Sequence, residues 1–380
     1  MINWSDTQSY VLCNPAYSQE KKDHYQKLLE VASDLKGHIW FATSGSTVQK
    51  WVGLSKKALL ASAEGVNQHL DSNSTDIWLK ALPDFHVGGL GIWSRAYLSG
   101  ATLIDYRLAR PGKWKGCEFF TCLENTNATL TSLVPAQLYD LALLGRPPPT
   151  TLRAVIIGGG ALIPELYKKA VDLGWPILPS YGLTECASSV ATAILGSWEN
   201  KDSAPVLKIL NHADVKSEEG RLRIKSSSLL SAYAIFEKEE IYLKDPKVNG
   251  WFQSEDRGEV NSGFIAILGR LDGLVKIGGE NVDMARLEAL FSALYMQSDC
   301  KEDYALVSMP DARLGQRLIL AIASEEQSTG FKLAIERFQA SVLPFEEIRQ
   351  VCLIPSIPRS PLSKVSRPEL IKILSEYIPK

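Results

Sequence analysis

Residues 152–173 read LRAVIIGGGALIPELYKKAVDL and join a short apolar run to three glycines and a helical pattern. The run at 152–157 is typical of a buried strand, and residues 164–173 have the spacing of a helix. The whole region 75–185 repeats this alternation of strand and helix, which favours parallel strands joined by helices. We therefore expect an α/β domain with a mostly parallel sheet.

The pattern changes twice after this region. Residues 205–269 carry short strands separated by turns, which predicts a β-rich subdomain. From Arg270 onward the sequence predicts a smaller α+β unit that begins with a strand pair around Ile265 and Lys276. We therefore expect a large domain over residues 1–269 and a small C-terminal domain over 270–380.

Composition excludes several classes of protein. A chain of 380 residues is too long for one ordinary core, so we expect at least two domains. The net charge of −2 gives no global field that would attract nucleic acid or an anionic membrane. No apolar run is long enough to span a bilayer, and the N-terminus lacks a signal-peptide pattern. The six cysteines lack metal-ligand spacing, so we expect reduced thiols and a cytoplasmic location.

The segment TSGSTVQK at residues 43–50 follows the apolar run 39–42. Backbone N–H groups and hydroxyls at the end of a strand can bind phosphate oxygens, and a lysine adds a point charge. The segment does not fit the Walker A pattern. It therefore predicts a phosphate-binding loop, with a Ser/Thr-rich surface turn as the alternative.

Six further segments carry glycine-rich or polar patterns: LPDFHVGGL at 82–90, GGGA at 158–161, SYGLTE at 180–185, WFQSEDRG at 251–258, GRLDGLVKIGGENV at 269–282 and PRSPLSKVSR at 358–367. In this order they resemble the adenylate-forming superfamily, which includes acyl-CoA synthetases, firefly luciferase and peptide-synthetase adenylation domains. The resemblance covers residues 39–370. It implies ATP, Mg²⁺ and CoA as cofactors or co-substrates, and a mobile small domain.

The resemblance also implies which residues bind nucleotide: Thr43, Ser44, Gly45, Ser46, Thr47, Lys50, Gly159, Gly160, Tyr181, Gly182, Thr184, Asp256 and Arg270. Tyr181 would stack on adenine, and Asp256 would accept the ribose hydroxyls. Glu185 would be the Mg²⁺ ligand and a catalytic residue, because a hard cation prefers carboxylate and phosphate oxygens. Val48, Gln49 and Glu255 depart from the family pattern.

Each nucleotide segment has a simpler alternative. The glycines at 158–160 can form a tight strand-to-helix turn, whereas a Rossmann site fails because Ile163 stands where the third glycine belongs. Residues 181–185 can form a helix N-cap with an acidic first turn. Asp256 can be an exposed side chain in a charged turn.

The acyl pocket is implied by His86, Arg95 and Gly158, and His86 is also a catalytic candidate. The stretch 91–100 resembles in particular the o-succinylbenzoate–CoA ligases of menaquinone synthesis, whose substrate carries a second carboxylate. A cation such as Arg95 would bind that group well. The alternatives are a structural histidine at position 86 and a solvated helix arginine at position 95.

The small domain carries the remaining candidates. The resemblance implies that Lys364 stabilises charge at the α-phosphate during adenylation, and that Ser363 replaces a family glycine. Asp272 would be the hinge about which the small domain rotates. Gly278 and Gly279 would then approach the pantetheine of CoA, with a Gly-Gly hairpin turn as the alternative. Lys364 alone would read as a solvated lysine.

Three functions remain open at this point. The first is an acid–CoA ligase acting on o-succinylbenzoate, and the second is an adenylating enzyme that serves a carrier protein. The third is a weakly catalytic nucleotide- or acyl-binding protein, suggested by the departures from the family pattern. We expect small-molecule partners, no nucleic acid and no membrane span. Only 42 residues precede the phosphate loop, so we expect the N-terminal subdomain to be missing or minimal. The chain would then be a compact version, or a partner subunit would cover part of the sheet, and a homodimer is one such arrangement.

Overall fold

The computed structural model describes residues 2–15, 19–42, 50–109, 114–160, 162, 164–199, 205–237, 240–270, 274–298, 302–358 and 365–377. The chain divides into two compact units between residues 272 and 273. No helix in the described ranges is both long enough and apolar enough to cross a membrane.

The strands of the first unit run in chain order as β1 Tyr10–Leu12, β2 His38–Ala42, β3 Lys50–Ser55, β4 Ile77–Lys80, β5 Thr102–Asp105, β6 Leu130–Leu133, β7 Ala154–Ile157, β8 Ile177–Leu183, β9 Ser188–Ala193, β10 Leu207–Ile209, β11 Ala213–Glu218, β12 Arg221–Ser226, β13 Ala232–Glu237, β14 Glu240–Lys244, β15 Phe252–Asn261 and β16 Phe264–Arg270. Its helices are α1 Gln19–Val31, α2 Lys56–Leu70, α3 Val87–Ser99, α4 Tyr106–Ala109, α5 Gly116–Thr126, α6 Pro135–Leu143 and α7 Pro164–Asp172.

Local sequence explains where several of these helices begin and end. The Ser55 side chain accepts a hydrogen bond from the backbone N–H of Ala58 and caps the start of α2. Pro135 opens α6, where its missing N–H has no helical partner to lose. Gly100 follows α3 at φ +71°, a conformation that glycine adopts at little cost.

The larger sheet has the order β11-β12-β15-β16-β10-β9-β8-β7-β6-β4-β5. The strands from β5 to β8 are parallel. The helices α3, α5, α6 and α7 occupy the intervals between these strands in the sequence. The predicted mostly parallel α/β domain is therefore confirmed, and the alternation in residues 75–185 gave the right elements.

The parallel strands are buried by apolar clusters. Phe119, Phe120 and Leu138 of α5 and α6 belong to one cluster with Val155 of β7. A second cluster contains Trp78 of β4 with Leu130 and Ile156, together with residues of α2 and α3. Burying aromatic side chains of this size is a main source of folding free energy.

The predicted strand pair around Ile265 and Lys276 is wrong. Ile265 lies in β16, which pairs with β15 and β10 in the larger sheet. Lys276 lies in the second unit and pairs with Asn281. The two strands are close in sequence, but each finds its antiparallel partner across a short turn on its own side.

A five-stranded sheet with the order β1-β2-β3-β13-β14 completes the first unit. β2 and β3 pair in antiparallel fashion, with Ala42 opposite Trp51. β13 pairs with β3 and places Ile235 opposite Lys50. An apolar cluster contains Val52 and Leu54 of this sheet together with Tyr181 and Val190 of the larger one.

The second unit contains β17 Leu274–Ile277, β18 Glu280–Asp283, α8 Met284–Met296, β19 Tyr304–Asp311, β20 Gly315–Ala323, α9 Thr329–Ser341, β21 Ile348–Ile354 and α10 Arg367–Tyr377. β17 and β18 form a hairpin, and β19, β20 and β21 form a three-stranded sheet. Leu318 and Leu320 of β20 pack in one cluster with α8 and α9, whereas Ile319 packs with Leu370 in another. The alternation follows from the period of two along a strand.

Candidate active site

The candidate residues of the first unit gather around one edge of the parallel sheet. His86 follows the carboxyl end of β4, the glycines 158–160 follow β7, and Tyr181 lies near the carboxyl end of β8. Ligands of open α/β sheets bind outside the carboxyl ends of the strands, where the connections diverge. The position of these residues is therefore the position expected of a ligand site.

Tyr181 and Asp256 form one part of this site. The Tyr181 hydroxyl donates a hydrogen bond to Oδ2 of Asp256 at 2.8 Å, and both side chains are buried. Burial raises the pKa of Tyr181 well above its ordinary value, and the negative charge of Asp256 acts in the same direction. Tyr181 therefore stays protonated and remains the donor. Asp256 is 7% exposed and lies within β15, so the alternative of an exposed turn residue is wrong.

The ladder between β15 and β16 places the backbone of a second residue that would contact ribose next to Asp256. Arg270 is the last residue of β16 and lies directly opposite Asp256 in the antiparallel register. Residues opposite each other in such a ladder are direct neighbours. Two positions that are 14 apart in sequence therefore meet at one place on the sheet.

Gly182 has a structural role in this region. A Cβ at position 182 would lie 1.9 Å from the backbone oxygen of Ser188, so only glycine permits this approach of β8 and β9. The register between the two strands shifts between Tyr181 and Gly182. A bulge of this kind redirects the neighbouring side chains, and it ends the strand just before a 3₁₀ turn at Thr184–Cys186.

Glu185 lies in that turn, and its carboxylate is held from the five-stranded sheet. The hydroxyl of Tyr233 donates to Oε1 of Glu185 at 2.8 Å. The ammonium of Lys50 lies 4.0 Å from the centre of the Tyr233 ring. Glu185, the implied metal ligand, and Lys50, the implied phosphate-binding lysine, thus contact the same tyrosine. The alternative of a helix N-cap with an acidic first turn is wrong about the cap, because Leu183 precedes the 3₁₀ turn and makes no side-chain cap, but Glu185 does lie in the first turn.

Arg95 lies on the buried face of α3. Its side chain is 2% exposed, so the alternative of a solvated helix arginine is wrong. The guanidinium donates to the hydroxyl of Ser132 at 3.2 Å, of Ser188 at 3.4 Å and of Ser189 at 3.5 Å. Among the described residues it has no carboxylate partner, and its Nε has no hydrogen-bond acceptor.

No described carboxylate neutralises the charge of Arg95, although its guanidinium lies 5.6 Å from the centre of the Trp78 ring. Burial lowers the pKa of Arg95 to about 10, so the side chain is still a cation at neutral pH. Burial also lowers the pKa of His212 to about 4, and the nearby Arg95 acts in the same direction, so His212 is neutral. A buried charge is costly unless it is paired. This cluster of a cation, hydroxyls and a neutral ring is suited to an anionic ligand.

The remaining first-unit candidates lie at the strand ends. His86 precedes α3 in an extended conformation, makes no side-chain cap, and packs its ring 4.7 Å from that of Phe85. Gly158 donates its N–H to the carbonyl of Leu133, and Gly159 has φ +76°. Gly158 and Gly159 therefore begin the connection that leaves β7, as in the simpler alternative of a structural turn. That geometry is compatible with close approach of a ligand.

Gly278 and Gly279 form the two-residue turn between β17 and β18. Their φ angles are +61° and +90°, and Ile277 pairs with Glu280 on either side. Both positions need a positive φ, as in the turns preferred by two-residue hairpins. The hairpin alternative is therefore confirmed. The candidates Thr43, Ser44, Gly45, Ser46, Thr47, Asp272 and Lys364 lie outside the described residues.

The donor set fits a magnesium ion that is bound mainly through its substrate. No group of three or more His, Cys, Asp or Glu side chains in the described ranges could hold a metal by itself. Mg²⁺ commonly binds through one or two carboxylates together with substrate phosphates. The single carboxylate of Glu185, which shares Tyr233 with Lys50, meets that requirement.

Sequence patterns missed four residues of this site, namely Tyr233, Ser132, Ser188 and Ser189. They lie on the strands β13, β6 and β9 and belong to none of the quoted motifs. A polar side chain within a short strand is the only local signal that they carry. Their role depends on which strands become neighbours, and that is decided by tertiary structure.

The chain is similar in sequence to several known proteins. A family model described as AMP-binding enzyme matches residues 20–234. The 2-succinylbenzoate–CoA ligase of Staphylococcus epidermidis is 29% identical over 86% of this chain and 67% of its own length. The ligase of the same name from Escherichia coli K12 is 30% identical, again over 86% of this chain and 67% of its own length.

The fold is also found among solved structures. A mutant o-succinylbenzoate CoA synthetase (MenE) from Bacillus subtilis, bound with its product analogue OSB-NCoA, matches with a TM-score of 0.73. The match is 21% identical and covers 95% of this chain and 78% of that one. At this identity the likeness establishes the α/β architecture with a smaller C-terminal sheet unit.

Proposed function

Because the chain belongs to the AMP-binding enzyme family, we propose that it activates a carboxylic acid with ATP and then transfers the acyl group to CoA. The substrate that we propose is o-succinylbenzoate, which would make the reaction a step of menaquinone synthesis. The names of the similar ligases support this substrate. The free cysteines of the described chain support a reducing, cytoplasmic setting.

The buried cation at Arg95 is the observation that carries the choice of substrate. o-Succinylbenzoate has two carboxylates, and only one of them can be activated. The second must be bound without reacting, and a guanidinium with no carboxylate partner among the described residues is suited to that purpose. A fatty acid or a simple aryl acid would leave this charge buried and unpaired.

The proposed reaction has two steps. An oxygen of the substrate carboxylate forms a bond to the α-phosphorus of ATP while the bond from that phosphorus to the bridging oxygen breaks, which releases pyrophosphate. The thiol sulfur of CoA then forms a bond to the acyl carbon while the bond to AMP breaks, and the thiol proton passes to solvent. The products are acyl-CoA and AMP.

We assign the nucleotide to the cleft formed by β8, β15 and the ends of β2 and β3. The Tyr181 ring would stack on adenine, and Asp256 with Arg270 would bind the ribose. The glycines 158–160 would line the adenine and acyl pockets. The phosphate contacts would come from Thr184 and from the loop residues Thr43, Ser44, Gly45, Ser46, Thr47 and Lys50.

Glu185 is the residue that would hold Mg²⁺ together with the phosphates. When bound, the ion would neutralise phosphate charge and make pyrophosphate a better leaving group. Lys50 adds positive charge from the side of β3. We propose that His86 lies beside the acyl group, at the start of the helix that carries Arg95.

The small domain would supply the last groups. We propose that Lys364 stabilises the charge that develops at the α-phosphorus during adenylation. The small domain, residues 270–380, would then rotate about Asp272 relative to residues 1–269. That rotation would remove Lys364 and bring the turn at Gly278 and Gly279 to the adenylate for the second step.

A substrate panel tests the proposal. Purified protein is incubated with ATP, Mg²⁺, CoA and one acid, and AMP and thioester are quantified by chromatography and mass spectrometry. The panel contains o-succinylbenzoate, 4-oxo-4-phenylbutanoate and 2-butanoylbenzoate, so that each analogue lacks one carboxyl group. We expect turnover of o-succinylbenzoate, slow turnover of the analogue that lacks only the Arg95-bound group, and none of the other. Turnover of either analogue at the rate of o-succinylbenzoate would contradict the proposed substrate.

Half-reactions test the assigned roles. Carboxylate-dependent exchange between ATP and pyrophosphate reports the first step, and preformed acyl-adenylate with CoA reports the second. We expect Lys364→Ala to abolish exchange and to retain thioester formation from the adenylate. Equal loss of both steps would contradict its role, and exchange without thioester formation from free CoA would point to a carrier-protein acceptor.

A further inference from the structure

Tyr233 connects two functional groups that belong to different parts of the first unit. It lies in β13 of the five-stranded sheet, and its side chain is 8% exposed. Its hydroxyl donates to Oε1 of Glu185, and its ring lies under the ammonium of Lys50. Glu185 follows β8 of the larger sheet, so the side chain joins the two sheets at the candidate active site.

Strand register explains why one tyrosine reaches both groups. Val52 of β3 lies opposite Tyr233, and Lys50 lies opposite Ile235. Lys50 and Tyr233 are therefore diagonal neighbours on one face of the β3–β13 ladder, which is within reach of long side chains. The contact between ammonium and ring has the geometry of a cation–π interaction.

The backbone holds β13 in this position from two sides. The N–H of Leu230 donates to the carbonyl of Glu185 at 2.8 Å, and the N–H of Ser231 donates to the carbonyl of Gly53 at 2.8 Å. The chain just before Tyr233 is therefore tied both to the turn that carries Glu185 and to β3. A rigid support of this kind is what a precisely oriented ligand group requires.

We propose that Tyr233 is a positioning residue that holds the Glu185 carboxylate and the Lys50 ammonium in one arrangement, so that the metal and phosphate ends of the ATP site form together. The hydroxyl orients the carboxylate, and the ring orients the lysine. This inference rests on the proposed function, because Glu185 and Lys50 receive their roles from it. Outer groups that orient a metal ligand influence metal affinity strongly.

Two substitutions separate the two contacts. Tyr233→Phe removes the hydroxyl and keeps the ring under Lys50, whereas Tyr233→Leu removes both. Tyr242→Phe is a matched control, since the Tyr242 hydroxyl donates to Oε1 of Glu237 at 3.0 Å on the exposed part of the same sheet. Each variant is made in the full chain, and thermal unfolding establishes that it is folded.

The measurement is the binding of ATP by calorimetry, with Mg²⁺ and with a chelator in its place. We expect Tyr233→Phe to reduce the gain in ATP affinity that Mg²⁺ brings by about 10-fold, because an outer partner of the metal ligand is lost. Its affinity for metal-free ATP should stay within about twofold of wild type, because Lys50 keeps the ring. Tyr233→Leu should weaken metal-free ATP binding as well, and Tyr242→Phe should change neither value.

A double-mutant cycle gives a second test. In a Glu185→Gln background, Tyr233→Phe should have no further effect on the gain from Mg²⁺, because the two residues act as a unit. Additive effects, or a Tyr233→Phe variant with an unchanged gain from Mg²⁺, would overturn the positioning role alone. A wild-type chain that binds no ATP under either condition would overturn the proposed function and this inference with it.

Discussion

Arg95 and Arg153 lie in the same unit but differ in the hydrogen-bond partners of their guanidinium groups. Arg153 donates from Nε and Nη2 to the two oxygens of Asp76, at 2.8 and 2.6 Å, and from Nη1 to the carbonyl of Leu70. Among the described residues the Arg95 guanidinium donates only to hydroxyl groups, at 3.2 to 3.5 Å, and it lies 5.6 Å from the centre of the Trp78 ring. One guanidinium is saturated by the protein, whereas the other has an Nε without a hydrogen-bond acceptor.

The two arginines also lie at opposite ends of the parallel strands. Arg153 immediately precedes β7, and Asp76 immediately precedes β4, so this pair joins the amino ends. Arg95 reaches Ser132 near the carboxyl end of β6. A bidentate pair closes the amino edge and stabilises the fold, whereas the buried cation without a described carboxylate partner lies toward the carboxyl edge, where we propose that the substrate binds. Substitution should therefore separate stability from activity.

The largest effect is expected for Arg95→Met. Loss of the partner of a buried substrate carboxylate should lower kcat/KM for o-succinylbenzoate by about 1,000-fold, equivalent to about 4 kcal/mol. Folding stability should be unchanged or higher, because the variant removes an unpaired buried charge. The measurements are AMP release for activity and urea unfolding for stability.

The control for Arg95→Met is the analogue in the substrate panel that retains the activated carboxylate and lacks the other. It lacks the carboxylate that Arg95 would bind, so the substitution should change its kcat/KM by less than about threefold. A loss of equal size for both acids would show that Arg95 does not recognise the second carboxylate.

Arg153→Met should give the reverse result. It leaves the Asp76 carboxylate, which is 4% exposed, without its charged partner. Breaking a fully buried pair costs about 3–5 kcal/mol, and partial exposure of Arg153 reduces this to about 2–3 kcal/mol in the free energy of unfolding. The kcat/KM of the folded protein should stay within about twofold of wild type. An activity loss without a loss of stability would remove the distinction between the two arginines.

The pH dependence of this stability difference has a definite sign. Burial by itself raises the pKa of Asp76, but hydrogen bonds from Arg153 and Thr129 outweigh it and lower the pKa below the ordinary value. A lowered pKa contributes stability above the unfolded pKa of about 3.9, and this is lost as pH falls through the folded pKa. The gap in unfolding free energy between wild type and Arg153→Met should therefore shrink below about pH 4. A gap that widens in acid would contradict this account.

Local patterns predicted the parallel region well. Apolar runs, helical spacing and terminal residues such as Pro135 and Gly100 act over a few positions, and the strands and helices between 75 and 185 follow from them. The motifs also singled out Tyr181 and Asp256, which the structure brings into contact. Their direct hydrogen bond was beyond sequence reasoning, because it depends on β8 and β15 meeting 75 positions apart.

Non-local packing explains what the sequence did not reveal. The burial of Arg95 results from the position of α3 over the sheet, and a helical pattern alone is equally compatible with a solvated arginine. The contacts of Tyr233 with Glu185 and Lys50 depend on the alignment of β13 with β3. The predicted pairing of the strand at Ile265 with the strand at Lys276 is wrong for a similar reason. Strands that are close in sequence commonly pair with each other, but here each strand has a nearer partner across a short turn.

The smallest effect that still distinguishes the two edges is expected for Ser132→Ala. The variant removes one hydroxyl from Arg95 and leaves the guanidinium in place, so KM for o-succinylbenzoate should rise about fivefold, equivalent to about 1 kcal/mol, with kcat nearly unchanged. Thr131→Val is the matched control, because the adjacent hydroxyl donates to the carbonyl of Leu79 at 2.7 Å instead. It should lower the free energy of unfolding by about 1 kcal/mol and leave KM unchanged. If both variants alter stability alone, the hydroxyls around Arg95 serve only the fold, and substrate recognition then falls to the guanidinium without their help.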